Sequence, residues 1–319
     1  MMLLEADEYH QIPLIANRTF LVNYCINPKC QNRQNSDAVK YCQTCGTALL
    51  INDRYRILKP LRSLHLGHPT EIFEVEDWGT GEQEWGTHKV LKVLKYTNNS
   101  DLVRLFKQEA RVLIWLRNTG IPKVEPDGYF RISPNGCSQY LQCLVMDKIP
   151  GENLDKYLEQ QHKISQLIAI DWLKQLINIL GLIHSQNIIH RDIKPSNIIL
   201  KPDGKLALID FGSVKTKAGE SLPIGSLGYA PPEQLAGKAI QQSDFFALGR
   251  TFVYLLTGKV PINLMSDNDP EQIIWRNSAV KIENHLADFI DEMMNIKPEK
   301  RPKNTQILLK KLKVFVTPP

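Results

Sequence analysis

The sequence predicts an α+β chain of two lobes, a small strand-rich lobe followed by a larger helical one, with a four-cysteine, zinc-ribbon-like module in front. Three observations predict it. Short strand-like runs crowd the stretch from Asp53 to Asp147. Helical patterns take over after Pro150-Gly151. Four of the six cysteines fall between residues 24 and 47.

The bulk numbers fit that reading. A chain of 319 residues has room for a real core in one or two domains. Apolar residues at 43% and charged residues at 23% are ordinary for a globular protein. The formal charge of +5 comes without a lysine- or arginine-dense run, so no nucleic-acid partner is expected. No apolar run is expected to reach the roughly 20 residues of a bilayer span. Met1 to Asn17 carries Glu5, Asp7 and Glu8 without an early basic cluster and does not read as a secretion signal. The expectation is a cytoplasmic protein with reduced thiols.

Residues 1–50 form the first unit, and its module occupies about residues 24–47. Cys25, Cys30, Cys42 and Cys45 are spaced Cys-x4-Cys-x11-Cys-x2-Cys. Gly46 follows the second pair and frees the backbone to turn N–H groups toward thiolate, as zinc knuckles require. Four thiolates suit tetrahedral zinc. The first pair is looser than the usual two-residue gap, so a disulfide pair, a redox switch and unliganded thiols stay open as alternatives. The module is also a candidate surface for a partner.

The small lobe spans about 53–147. Strands are expected at Tyr55–Leu61, Ile72–Asp77, His88–Leu94, Gly128–Ile132 and Gln139–Met146. Between them, Leu102, Leu105, Phe106, Val112, Leu113 and Leu116 fall at helical spacing behind Asp101, read as the N-cap. Cys137 and Cys143 read as ordinary thiols. The large lobe spans about 151–315. Ser165 is placed to cap a helix carrying Trp172, Leu173, Leu176, Ile177, Leu180 and Ile183, apolar on several sides and therefore buried. Pro202-Asp203-Gly204 turns a hairpin between Ile198–Leu200 and Leu206–Ile209. A further helix runs from Asp244 to Thr257, with Gly258 placed to stop it.

The chemistry sits around that hairpin. His190-Arg191-Asp192-Ile193-Lys194-Pro195-Ser196-Asn197 precedes it and Asp210-Phe211-Gly212 follows it. Folding the chain back brings Asp192, Asn197 and Asp210 toward one site. Asn197 and Asp210 offer oxygen acceptors, which suit a hard magnesium ion. Asp192 can orient a hydroxyl and accept its proton, and Lys194 adds a cation. Phosphoryl transfer needs this set of groups, for positioning and for neutralising phosphate charge.

In these motifs the chain resembles, over about 53–315, the catalytic domain of eukaryotic-type protein kinases. The resemblance implies a cleft between the lobes that binds ATP and magnesium and moves the γ-phosphate to protein hydroxyls, with autophosphorylation. Lys92, in Val90-Leu91-Lys92, matches the lysine that grips the α- and β-phosphates, and Glu109 its partner. Met146 falls at the gatekeeper position and Asp147-Lys148-Ile149 at the hinge facing adenine, while Gly67 and Asn153 complete the implied ATP contacts. Asn197 and Asp210 are the implied magnesium ligands. His190, Glu233 of Ala230-Pro231-Pro232-Glu233, Asp244 and Arg301 are implied braces, with Arg301 pairing with Glu233.

Lys194 marks serine/threonine rather than tyrosine specificity. Gly120-Ile121-Pro122-Lys123-Val124 and Asp127-Gly128-Tyr129-Phe130 look cyanobacterial, and four cysteines ahead of the catalytic domain resemble the four-cysteine Ser/Thr kinases of that group. The segment from Asp210 to Glu233 matches the activation segment. Arg191 is implied to receive a phosphate there, on Ser213, Thr216 or Ser221, with Lys215 and Lys217 adding to the pocket. Ser226 is implied instead to bond Asp192 and Lys194.

One motif departs. The glycine-rich loop should read Gly-x-Gly-x-x-Gly, but the chain has Arg62-Ser63-Leu64-His65-Leu66-Gly67-His68-Pro69-Thr70. Only Gly67 remains, near the third position. This predicts inefficient use of ATP, partly offset if Arg62 pairs with phosphate. It also keeps a pseudokinase scaffold as the alternative, against which stand Lys92, Glu109, Asp192, Asn197 and Asp210.

Overall fold

The computed structural model describes residues 22–313 apart from 65–66, 80–85, 119, 217–221 and 267–272. His65, Leu66, Lys217 and Ser221 therefore lie outside the described residues. The chain opens on β1 (Val22–Tyr24), paired antiparallel with β2 (Gln34–Ser36). Then β3 (Leu50–Ile51) turns back into β4 (Tyr55–Pro60). The turn residues Asn52 and Asp53 both have positive φ, 51° and 52°. Two left-handed residues in a row make a type I′ hairpin turn, which Asn and Asp tolerate better than most side chains.

β5 (Thr70–Asp77) and β6 (Thr87–Leu94) follow, then α1 (Ser100–Trp115), β7 (Tyr129–Ile132) and β8 (Leu141–Asp147). They complete a six-stranded sheet in the order β3-β4-β5-β6-β8-β7. The cap of α1 is Asn99, not Asp101. The Asn99 side chain accepts from the N–H groups of Asp101 (3.0 Å) and Leu102 (3.1 Å). Asp101 sits in the first turn instead, where its charge suits the helix dipole.

The large lobe starts with β9 (Glu152–Asn153), α2 (Leu154–Gln161) and α3 (Gln166–Ser185). The Ser165 hydroxyl accepts from the Ile168 N–H at 3.4 Å, as its cap position predicts. By length and composition the 20-residue α3 is apolar enough to cross a bilayer, which corrects the expectation that no run reaches that size. Its Trp172, Leu173, Leu176, Ile177, Leu180 and Ile183 fill the core of the large lobe. β10 (Ile198–Leu200) and β11 (Leu206–Leu208) form the expected hairpin, and β10 also pairs with β9. α4 (Pro232–Leu235), α5 (Gln241–Thr257), α6 (Asn284–Met293) and α7 (Thr305–Lys313) complete the lobe. Asp244 lies in the first turn of α5 rather than at its start. Gly258 ends that helix at φ 69°, where a Cβ would also stand 2.8 Å from the His162 carbonyl oxygen.

The cysteine module is joined to the small lobe rather than strung ahead of it. β3 is a strand of the lobe's own sheet. Ile26 belongs to the same buried cluster as Ile57, Phe73 and Leu91, and Tyr24 packs on Phe73 with ring centroids 6.1 Å apart. Arg33 donates to both Glu71 oxygens on β5 (3.1 and 2.9 Å) and to the carbonyls of Cys25 (2.7 Å) and Ile26 (3.1 Å). Lys95 also reaches Glu71, at 3.4 Å. Asn135, beyond β7, donates to the Cys45 carbonyl (2.8 Å) and the Thr47 hydroxyl (3.0 Å). The Cys137 thiol donates to Asn27 (3.4 Å), so this cysteine sits at the join. So short a loop-rich segment buries too little apolar surface to stand alone, and the lobe supplies the remainder.

Arg33→Ala removes one partner of a charge pair whose side chains are only 9% and 5% exposed. The expected loss is roughly 3 kcal/mol, read as a lower urea midpoint of the whole chain. An unchanged midpoint would show that the module does not support the lobe.

Candidate active site

The cleft is built around one cation. Lys92, on β6, lies 2.8 Å from each Glu109 oxygen and 2.7 Å from Asp210 Oδ1. Glu109 reaches it because α1 turns that carboxylate to the sheet together with Phe106, Ala110 and Leu113. Burial works against the charge on Lys92, but Asp210 and Glu109 outweigh it and hold the ammonium well above its usual range. Lys92 in turn holds Asp210 well below the usual carboxylate range, while burial pushes Glu109 up. One cation between two carboxylates leaves an excess of negative charge, which suits a divalent cation.

Asp210 sits in the left-handed region at φ 62° and accepts from the Gly212 N–H (3.3 Å). Such backbone is uncommon outside glycine and gathers at functional sites. A Cβ on Gly212 would come within 3.1 Å of both Asp210 Oδ1 and Lys92 Nζ.

The Asp192 carboxylate is fully engaged on the other side of the cleft. It accepts from Asn197 Nδ2 (2.9 Å), from Lys194 Nζ (3.0 Å) and from the Ser226 hydroxyl (2.6 Å). Lys194 also donates to Ser226 Oγ at 2.8 Å, so Asp192, Lys194 and Ser226 form a closed ring, to which Asn197 is joined through Asp192. Behind them, buried Asp244 accepts from the backbone N–H groups of His190 (2.9 Å) and Arg191 (2.8 Å) and contacts His184 Nε2 (2.8 Å). The His190 ring meets Phe211 edge-on at 4.8 Å, and burial lowers its basicity. Arg301 donates to both oxygens of Glu233 (2.6 and 3.1 Å).

At the back of the cleft, Met146 and Asp147 end β8 and Ile149 follows. Asp147 accepts from Lys89 (2.5 Å), and Lys148 bonds Glu74 on β5 (2.6 Å). Burial would raise Glu74, but Lys148 and His88 bring it down to about 2. Asn153 caps α2 by accepting from the Lys156 N–H (2.9 Å). Gly67 is exposed, with open space where a Cβ would go.

Three cations stand differently from the sequence expectation. The Arg62 guanidinium donates to the Thr70 carbonyl and hydroxyl (2.6 Å to the latter), closing the mouth of the β4–β5 hairpin. Arg191 donates to the backbone carbonyls of Ser213, Leu222 (3.1 Å) and Val214 (3.5 Å). Lys215 is buried, and its Nζ donates to the Ala239 carbonyl (2.8 Å). Each of the three therefore spends at least one N–H on a main-chain oxygen of the protein. The sequence reading also missed Gln108, which donates to the Val214 carbonyl (2.7 Å). Its place next to Glu109 was the only signal.

A second candidate site lies in the module. The sulfurs of Cys25, Cys30, Cys42 and Cys45 all lie within 4.8 Å of one another. The Cys25–Cys45 and Cys30–Cys42 pairs are 3.6 Å apart, against about 2.05 Å in a disulfide. Zinc–sulfur arms of about 2.3 Å give a tetrahedron with edges near 3.8 Å, so the four thiols fit that ion. Burial raises the Cys25 thiol. It acts the same way on Cys45, where bonds to Thr47 overcome it and bring the thiol down to about 6.

The comparisons agree with this geometry. Residues 87–312 match the family model described as the protein kinase domain. Over 313 residues the chain is 31% identical to Serine/threonine-protein kinase B of Synechocystis sp., covering 92% of this chain and 52% of that one. It is 35% identical over 285 residues to Serine/threonine-protein kinase PknA of Nostoc sp., covering 84% and 48%. It is 36% identical over 265 residues to Serine/threonine-protein kinase C of Synechocystis sp., covering 79% and 48%. The chain thus spans about half the length of these curated relatives.

Proposed function

The chain belongs to the protein kinase family, and from that premise we propose that it is an active serine/threonine kinase, moving the γ-phosphate of ATP to protein hydroxyls, its own included. The observation that carries the reading is Lys92 held between Glu109 and Asp210. Lys194 and the serine/threonine kinases to which the chain is similar support serine and threonine as acceptors.

Each residue then has a role. Lys92 fixes the α- and β-phosphates, and Glu109 fixes Lys92. Asn197 and Asp210 would hold magnesium, which neutralises phosphate charge. Met146, Asp147 and Ile149 line the adenine side, with Gly67 and Asn153 at the edges. Asp192 orients the acceptor hydroxyl and takes its proton as the oxygen bonds to phosphorus and ADP leaves. Lys194 stabilises the charge on the phosphoryl group. The ring through Ser226 keeps the Asp192 carboxylate aimed. The departed glycine loop alone would suggest a pseudokinase, but Lys92, Glu109, Asp192, Asn197 and Asp210 are all present, and the Lys92–Glu109, Lys92–Asp210 and Asn197–Asp192 contacts support transfer.

The four cysteines are structural zinc ligands in this reading, in a cytoplasmic setting that keeps thiols reduced, and the exposed faces of the module are available to a protein partner. Zinc equimolar with protein is expected from metal analysis, and protein without zinc would reject the ligand assignment. Asp192→Asn should lower kcat on the order of 10²–10⁴-fold while calorimetry shows nucleotide binding near wild type. Wild-type turnover in that variant would overturn the assignment of Asp192.

A further inference from the structure

The stretch after Asp210 is tied down by protein groups on three sides. From α1, Gln108 donates its side-chain amide to the Val214 carbonyl (2.7 Å). From the catalytic loop, Arg191 donates to that same carbonyl (3.5 Å), to Ser213 and to Leu222 (3.1 Å). Below them, Lys215 exchanges both backbone hydrogen bonds with Ile189 (2.9 Å each) and places its buried Nζ on Ala239. The Val214 carbonyl therefore receives one donor from the helix that carries Glu109 and one from the loop that carries Asp192. The position of α1 and the course of the segment are set together. A guanidinium that spends N–H groups on the segment's carbonyls holds that segment with protein groups alone. Here Arg191 already meets three carbonyls, and Arg104, its cationic neighbour on α1, bonds Asp101 (3.1 Å).

We propose that Gln108 is a positioning residue, a clamp between α1 and the activation segment that assembles the cleft without a phosphate on that segment. The inference rests on the kinase reading and adds its regulation. Gln108 donates to a carbonyl, so the clamp needs an N–H at that point. Glutamate has the same shape without the donor. Lysine keeps a donor with similar reach. A single neutral hydrogen bond shifts a two-state population about three- to tenfold, which sets the size of the effect.

The test uses the full chain, treated with phosphatase and verified by intact mass. Two readouts are taken, transfer to a serine/threonine peptide and hydrogen exchange of residues 100–115 and 211–216. Wild-type protein should lose less than about threefold of its kcat on dephosphorylation. Gln108→Glu and Gln108→Leu should lower kcat about three- to tenfold and raise exchange in both segments. Gln108→Lys should keep both near wild type. A drop of tenfold or more on dephosphorylation would overturn the proposal. So would unchanged exchange in Gln108→Glu, or a Gln108→Lys variant that behaves like Gln108→Glu, which would reduce the residue to packing. If wild type transfers nothing, the kinase reading fails, and the exchange arm still decides the clamp.

Discussion

The site depends on one buried ammonium with two carboxylates. Lys92 cannot be held in a dry pocket as a cation unless Glu109 and Asp210 face it, and each of those needs its own element in place. Glu109 requires α1 against the sheet. Asp210 requires the β10–β11 hairpin to return the chain to the cleft in a left-handed turn. Asn197 leads into β10 where Ile209 leaves β11, the Ile209 N–H donating to the Asn197 carbonyl (2.9 Å), so the contact that satisfies Lys92 also brings Asp192 and Asn197 close. Removing Glu109 or Asp210 would leave Lys92 with a single carboxylate and strip the pocket of the surplus negative charge that suits a divalent cation, which is why small lobe, helix and hairpin answer to the same three side chains.

Much of this was legible in the sequence because the chemistry is written in contiguous motifs. Asp192, Lys194, Asn197 and Asp210 lie within 19 residues, and a short hairpin turn leaves the chain little choice but to bring them together. The ring through Ser226 and the Asp244 brace were legible by resemblance. Strand positions followed from alternation and erred by one or two residues at their ends, where hydrogen-bond pairing rather than hydropathy decides. The cap of α1 was misplaced by two residues because Asn99 and Asp101 are both good caps, and only the backbone distinguishes them.

What the sequence could not show is where long polar side chains end. Arg62, Arg191 and Lys215 each look like phosphate ligands in one dimension, and each is bonded to main-chain oxygen in three. Arg33 and Glu71 are 38 residues apart and carry no motif, yet they join the cysteine module to the lobe. That join gives the module a mechanical place in the molecule. Arg33 is fixed by the carbonyls of Cys25 and Ile26, and it grips the strand whose next residue, Ile72, pairs with Lys92. The glycine loop remains the one catalytic element that departs from the family pattern, and Arg62 gives its hairpin a side-chain closure that glycine could not.

The most direct test of the account is transfer of labelled γ-phosphate from ATP in the presence of magnesium, comparing wild type with Asp210→Ala and mapping the labelled residues by mass spectrometry. Label on serine or threonine is expected in the wild type and its loss in the variant, with both proteins folded. Wild-type protein that is folded and saturated with ATP and magnesium yet transfers no phosphate, or a variant that transfers as well as wild type, would contradict it.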